Sequence, residues 1–151
     1  VKSTSKFNPI LCAMLFTANT LIGRAQTSPF VPAQLATAKT LFVGFDGGQA
    51  ADLTNQEALV ILQKALIQEH RYTLVRTPTE AEISARAFLT PNGIVLSLFD
   101  TKTGALLWKI TANHGGGGLK ASYTKRFVRS AQEIADQLDE LSAGRIPEPP
   151  K

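Results

Sequence analysis

Two strand-like runs joined by one turn constrain this chain more than any other stretch of it. Ile94-Val95-Leu96-Ser97-Leu98-Phe99 and Leu106-Leu107-Trp108-Lys109-Ile110 flank Asp100-Thr101-Lys102-Thr103-Gly104. Both arms are rich in β-branched and aromatic residues. The link has the Asp, Thr and Gly mixture of a type I turn closing into a glycine bulge, with Gly104 free to take positive φ. Alternation then places Ile94, Leu96 and Leu98 on one face of the first arm and Leu106, Trp108 and Ile110 on one face of the second. A hairpin with one such apolar face needs a helix layer to cover it.

At 151 residues and 44% hydrophobic composition, the chain is long enough for one domain with its own core. The net charge of +4 suggests a nucleic-acid partner, but it is concentrated at the start. Lys2, Lys6 and Arg24 precede the first acid, Asp46, so residues 26–151 carry only about +1. Nucleic acid is therefore excluded as the expected partner. Lys2 and Lys6 also form the charged end of a targeting segment. Residues 10–23 are its short apolar run, and Gly23-Arg24-Ala25 supplies small residues for cleavage before Gln26. The expectation is a signal peptide over 1–25, a periplasmic or secreted product, and no permanent membrane span, because the apolar run falls short of about 20 residues. The single cysteine, Cys12, lies within that run and lacks a lipobox context. A chain starting at Gln26 thus has no disulfide, no thiolate nucleophile and no cysteine metal site.

Residues 26–38 carry Pro29 and Pro32 and little periodicity, and are expected to be a flexible leader to a domain spanning 39–143. Thr40-Leu41-Phe42-Val43-Gly44-Phe45 is a continuous apolar run, the pattern of a central strand buried on both faces, and Asp46-Gly47-Gly48 ends it. Thr54 and Glu57 have capping-box spacing at the start of a helix whose stripe is Ala58, Leu59, Leu62, Ala65 and Leu66. Tyr72-Thr73-Leu74-Val75 follows as a short strand, parallel to the first through a right-handed crossover. Residues 78–82 allow at most one helical turn before a third strand, Ile83-Ser84-Ala85-Arg86-Ala87-Phe88. Phe127, Ala131, Ile134, Leu138 and Leu141 then share one face of a last helix, ended by Gly144; the proline-rich residues 144–151 are expected to be disordered. The predicted fold is α/β in class, a two-layer α+β sandwich. It has a five-stranded mixed sheet, β-α-β-β-β-α, with both helices on one face and strand order 2-1-3-4-5.

No catalytic set emerges. Ser122, Ser130 and Ser142 lack a nucleophile elbow, and His70 and His114 have no metal-ligand spacing and are expected to be surface residues. No metal or cofactor is implied. Glu80 and Glu82 alternate at a strand entrance, where acid-base work would need a pocket. The best ligand-binding candidate is Gly115, Gly116, Gly117 and Gly118 before a helix N-terminus, with Lys120, Lys125, Arg126 and Arg129 adding charge for a phosphate-like anion. Its spacing misses the nucleotide-binding loop, since Ala121 follows Lys120 where Ser or Thr is required. A flexible loop feeding a solvated helix is the simpler reading.

Lys39-Thr40-Leu41-Phe42-Val43, Tyr72-Thr73-Leu74-Val75, Glu80-Ala81-Glu82-Ile83, and Leu98-Phe99-Asp100-Thr101-Lys102-Thr103 with Leu107-Trp108 together resemble a group of small exported bacterial proteins of unknown function, over residues 39–141. More distantly, the strand order is similar to the α/β module of the curli-secretion lipoprotein and the N-terminal domain of the Tol-Pal translocation protein. The resemblance implies a binding or assembly part of the envelope and no catalytic residues. With both helices on one face, the other face of the sheet is left open. Phe99, Leu107 and Lys109 are expected there, on a surface for an envelope partner or for self-association, with the last strand as an edge.

Overall fold

The computed structural model describes residues 30–69, 71–115 and 119–148. The proposed signal peptide, its Cys12 and the start of the leader lie outside the described residues. Helix α1 (Ala33–Thr37) is followed by β1 (Thr40–Gly48), α2 (Asn55–Gln68) and β2 (Thr73–Val75). A single 3-10 turn at Pro78–Glu80 precedes β3 (Ile83–Thr90), β4 (Gly93–Asp100), β5 (Leu106–Asn113) and α3 (Lys120–Ser142). The strands form one sheet in the order β2-β1-β3-β4-β5, with β1 parallel to both neighbours and the remaining pairs antiparallel. This is the expected two-layer architecture and strand order.

Local chemistry explains where the elements start and turn. At α2 the capping box forms in full: Thr54 Oγ1 accepts from the Glu57 amide at 3.2 Å, and Glu57 Oε2 accepts from the Thr54 amide at 2.8 Å. In the β4–β5 turn, Asp100 Oδ1 accepts from the Thr103 amide at 2.7 Å, and Gly104 takes φ +70° and donates to the Asp100 carbonyl at 2.8 Å. The core lies between the sheet and the two long helices. Leu41 and Val43, Ile83 to Leu89 at alternate positions, Ile94, Leu96 and Leu98, and Ile110 and Ala112 meet Ala58, Leu62, Ala65 and Leu66 of α2 and Phe127, Ala131, Ile134, Leu138 and Leu141 of α3.

Four expectations need correction. The first element among the described residues lies ahead of Lys39, inside the expected leader: α1 buries Leu35 completely, and Tyr72 Oη donates to the Leu35 carbonyl at 2.5 Å, so tertiary contacts order a segment without periodicity. β1 is central but buried on one face only, because the long helices lie on the Leu41 and Val43 side, and Phe42, on the other side, is only half-buried. The Phe42 ring instead folds back over Gly44, whose missing Cβ would sit 2.7 Å from Phe42 Cε1. Asp46-Gly47-Gly48 does not end β1, which runs on to Gly48 with Asp46 as the extra residue of a bulge between Phe45 and Gly47. Finally, a bulge pairs Leu98 with Trp108 but Phe99 with Leu106. That extra residue reverses the alternation, so Leu107 packs against the core and Leu106 takes its place beside Phe99, 54% exposed.

Glu82 ties the parallel strands together at their start. Its Oε2 accepts from the Lys39 amide at 2.6 Å and the Thr40 amide at 3.2 Å, while its own amide donates to Thr40 Oγ1 at 3.0 Å. These backbone donors hold the Glu82 carboxyl below its ordinary value of 4.5. Thr54 does the same to Glu57, from 4.5, and Thr103 to Asp100, from 3.8. A carboxylate whose folded pKa is depressed contributes stability above its unfolded value and loses it as pH falls through the folded one. The thermal midpoint is therefore expected to decline progressively below about pH 4.5. In Glu82→Gln the neutral-pH midpoint should drop and the acid-induced loss should shrink, as read by circular dichroism from neutral pH downward. Equal acid sensitivity in variant and wild type would contradict this assignment.

Candidate functional site

Of the glycine-loop candidate, the described residues do not converge on one point. Gly115 takes φ +67°, and Gly116, Gly117 and Gly118 lie outside the described residues. The α3 N-terminus has Leu119 at the N-cap without a side-chain cap, and no acid in its first turn. Lys120 faces away to Glu57 of α2, with Nζ 3.8 Å from Oε1. Arg126 is half-buried and donates to Ser122 Oγ at 3.1 Å. Lys125 and Arg129 are exposed one turn apart, about 7.5 Å and 13.5 Å down the axis from Lys120 at 1.5 Å per residue. The cations are spread along and around α3 instead of gathering at its first turn.

The neighbouring His114 differs more from expectation. It is buried, not superficial: its ring meets Tyr123 edge-on at 4.9 Å and Phe127 at 5.5 Å, and Nδ1 lies 3.0 Å from the Gly115 carbonyl oxygen. Its amide donates to the Asn92 carbonyl at 2.8 Å, fastening the end of β5 to the β3–β4 turn. Those contacts make it part of the packing under α3. His70 lies outside the described residues. Glu82 is occupied by backbone amides and Glu80 is exposed in the 3-10 turn, so the pair does not face a shared pocket. Among the described residues no group of three or more His, Cys, Asp or Glu gathers as a metal site would require.

The open sheet face is a better-built surface. Strand register arranges its side chains in three rows across the strands. Val75, Phe42, Ser84, Phe99 and Leu106 form the first, Gly44, Arg86, Ser97 and Lys109 the second, and Gly47, Phe88, Val95 and Thr111 the third. Two apolar rows thus flank a cationic one that contains no acid. Arg86 lies over the Phe99 ring at 5.0 Å, which fixes its guanidinium above the face. Phe88 is 44% exposed, and its ring covers Gly47, where a Cβ would lie 3.4 Å away. Of the expected interaction residues, Phe99 and Lys109 are here and Leu107 is not. Phe42, Arg86, Phe88 and Leu106 were not named from the sequence. The period-two alternation of Ser84, Arg86 and Phe88 against Ile83, Ala85 and Ala87 was the available signal for two of them.

No family model matches the chain, and no curated protein matches it. Solved structures do. The PelC dodecamer from Paraburkholderia phytofirmans is similar at 14% identity and a TM-score of 0.51, over 72% of this chain and 88% of that one. The C-terminal domain of LpoB from Salmonella enterica is similar at 17% identity and a TM-score of 0.39, over 50% of this chain and 81% of that one. The distant structural likeness expected from the sequence is present, and at these identities it is a likeness of fold. Among the described residues no helix is long and apolar enough to cross a membrane.

Proposed function

We propose that this chain is a non-enzymatic binding or assembly module of the bacterial envelope, periplasmic or secreted, working through its open sheet face and the β5 edge. The uncovered face carries the reading: Phe88 and Leu106 are exposed, Phe42, Val95 and Phe99 are half-buried beside them, and among the described residues no helix packs there. The targeting segment read in the sequence supports export. The similar PelC structure is a dodecamer, which supports assembly as a use of this fold.

The central row refines the partner. Arg86 and Lys109 would meet their own copies if two sheets packed face to face, and like charges buried together are costly. Self-association therefore runs through the β5 edge, and the face fits a partner with carboxylates set between apolar groups. Light scattering over a concentration series tests the first, and cross-linking in envelope extracts the second. Phe99→Lys and Leu106→Lys should each weaken association or capture by at least about tenfold, roughly 1.4 kcal/mol. Leu107→Lys should instead lower stability, since that side chain packs on the core. A wild type that stays monomeric at high concentration and cross-links to nothing would end the proposal.

A further inference from the structure

The opposite border of the sheet carries an unfilled strand position. β1 is nine residues long, yet β2 pairs with it only at Thr40, Leu41 and Phe42 and stops at Val75. Among the described residues, no strand neighbours the outer edge of β1 from Val43 onward. Thr73 donates its amide to the Lys39 carbonyl at 2.8 Å, which identifies the odd-numbered residues as those whose backbone groups point outward. Consistent with that, the Val43 carbonyl accepts only a long 3.5 Å bond from Gln63 Nε2. The amide and carbonyl of Phe45 are next in the outward row. A groove of about 340 Å³ runs along this border, between Gln63 and Ile67 of α2 on one side and Phe42 and Val75 on the other, with Leu74 and Arg76 at its β2 end.

The geometry points to this groove as a receptor for the C-terminal end of an extended peptide, added antiparallel to residues 43–45. Three observations select that occupant. Val43 and Phe45 offer an acceptor, a donor and a second acceptor in strand spacing, which an extended backbone satisfies without regard to sequence. The free position is collinear with β2, so an incoming strand cannot run on past Val75 and must end there. Arg76, exposed where it ends, is the one charged residue lining the groove among the described residues. A guanidinium there is complementary to a terminal carboxylate and opposed to a terminal ammonium, which sets the antiparallel direction. Gln63 can donate to the same carboxylate once the peptide amide takes over the Val43 carbonyl. Ile67, 51% exposed, and Phe42 lie on opposite sides of the added strand, and either can receive its row of apolar side chains.

The test uses the isotope-labelled protein and an acetylated hexapeptide of alternating serine and valine, prepared as the free acid and as the C-terminal amide. The free acid should give saturable amide shifts at Val43 and Phe45 and bind at least about tenfold more tightly than the amide. Arg76→Gln, at an exposed position, should make the two peptides equal. A peptide N-methylated at the residue facing Phe45 should lose binding. Equal affinity of acid and amide for the wild type overturns the proposal, as do shifts that map elsewhere. So does the lack of a saturable shift with both this peptide and a degenerate hexapeptide pool ending in free carboxylates. Phe99→Lys and Leu106→Lys should leave peptide binding intact, so this groove and the open-face reading stand or fall separately.

Discussion

Phe127→Ala is expected to destabilise the protein by about 3–5 kcal/mol. Phe127 is fully buried on the second turn of α3, where its ring meets His114 at 5.5 Å and Tyr123 at 6.4 Å. Removing the ring loses its transfer free energy and leaves a cavity between a helix and a sheet that cannot readily close, since Tyr123 is itself tied through Oη to the Ala51 amide at 3.1 Å. The cavity would also border His114, whose buried Nε2 has no hydrogen-bond partner among the described residues, so water entering it would hydrate that nitrogen. For a domain of this size the loss corresponds to a fall in thermal midpoint of more than about 10 °C. Urea unfolding of wild type and variant measures it, and a loss below about 1 kcal/mol would show that this end of the core is not close-packed.

Gly48→Ala should have a comparable effect for a different reason. Gly48 sits at φ +81°, paired with Leu89 at the end of the parallel β1–β3 ladder, and an added Cβ would lie 1.8 Å from the Leu89 carbonyl oxygen. That oxygen also accepts from the Gln49 amide at 3.0 Å, so the backbone cannot yield without opening the last rung. Gly104 is the control, because it has φ +70° but open space around its missing Cβ. Gly104→Ala should cost about 1 kcal/mol from the left-handed conformation alone, whereas Gly48→Ala should cost about 3 kcal/mol or more. Equal losses at the two positions would mean that the close approach to Leu89 is relieved by a small shift.

The contrast between these glycines also separates what was readable locally from what was not. Gly104 follows Asp, Thr, Lys and Thr in a turn whose chemistry is complete within five residues, and its positive φ was expected. Gly48 looks like any residue of an Asp-Gly-Gly turn until β3 is placed beside it. The same division holds for the candidate sites. The open face followed from counting helices and faces, and Phe99 and Lys109 were located on it by alternation. Leu107 was misplaced, because a bulge adds one residue to the count and nothing within β5 announces it. His114 gave no sign of burial, since its surroundings come from Asn92, Tyr123 and Phe127.

Residues within a turn or two of one another thus specified the hairpin, the α2 capping box, the α3 stripe and, through them, a mixed five-stranded sheet with helices on one side. Periodicity and capping act over such distances, and their partners are all present in the local sequence. Contacts between segments far apart decided the rest. α1 is ordered because Leu35 reaches the core, the β5 bulge exchanges Leu106 for Leu107, and β2 ends after three paired residues. Each depends on where a second backbone or helix stops, a quantity that packing sets once the chain has closed on itself, and β2's early end leaves no strand among the described residues on the outer edge of β1 beyond Phe42.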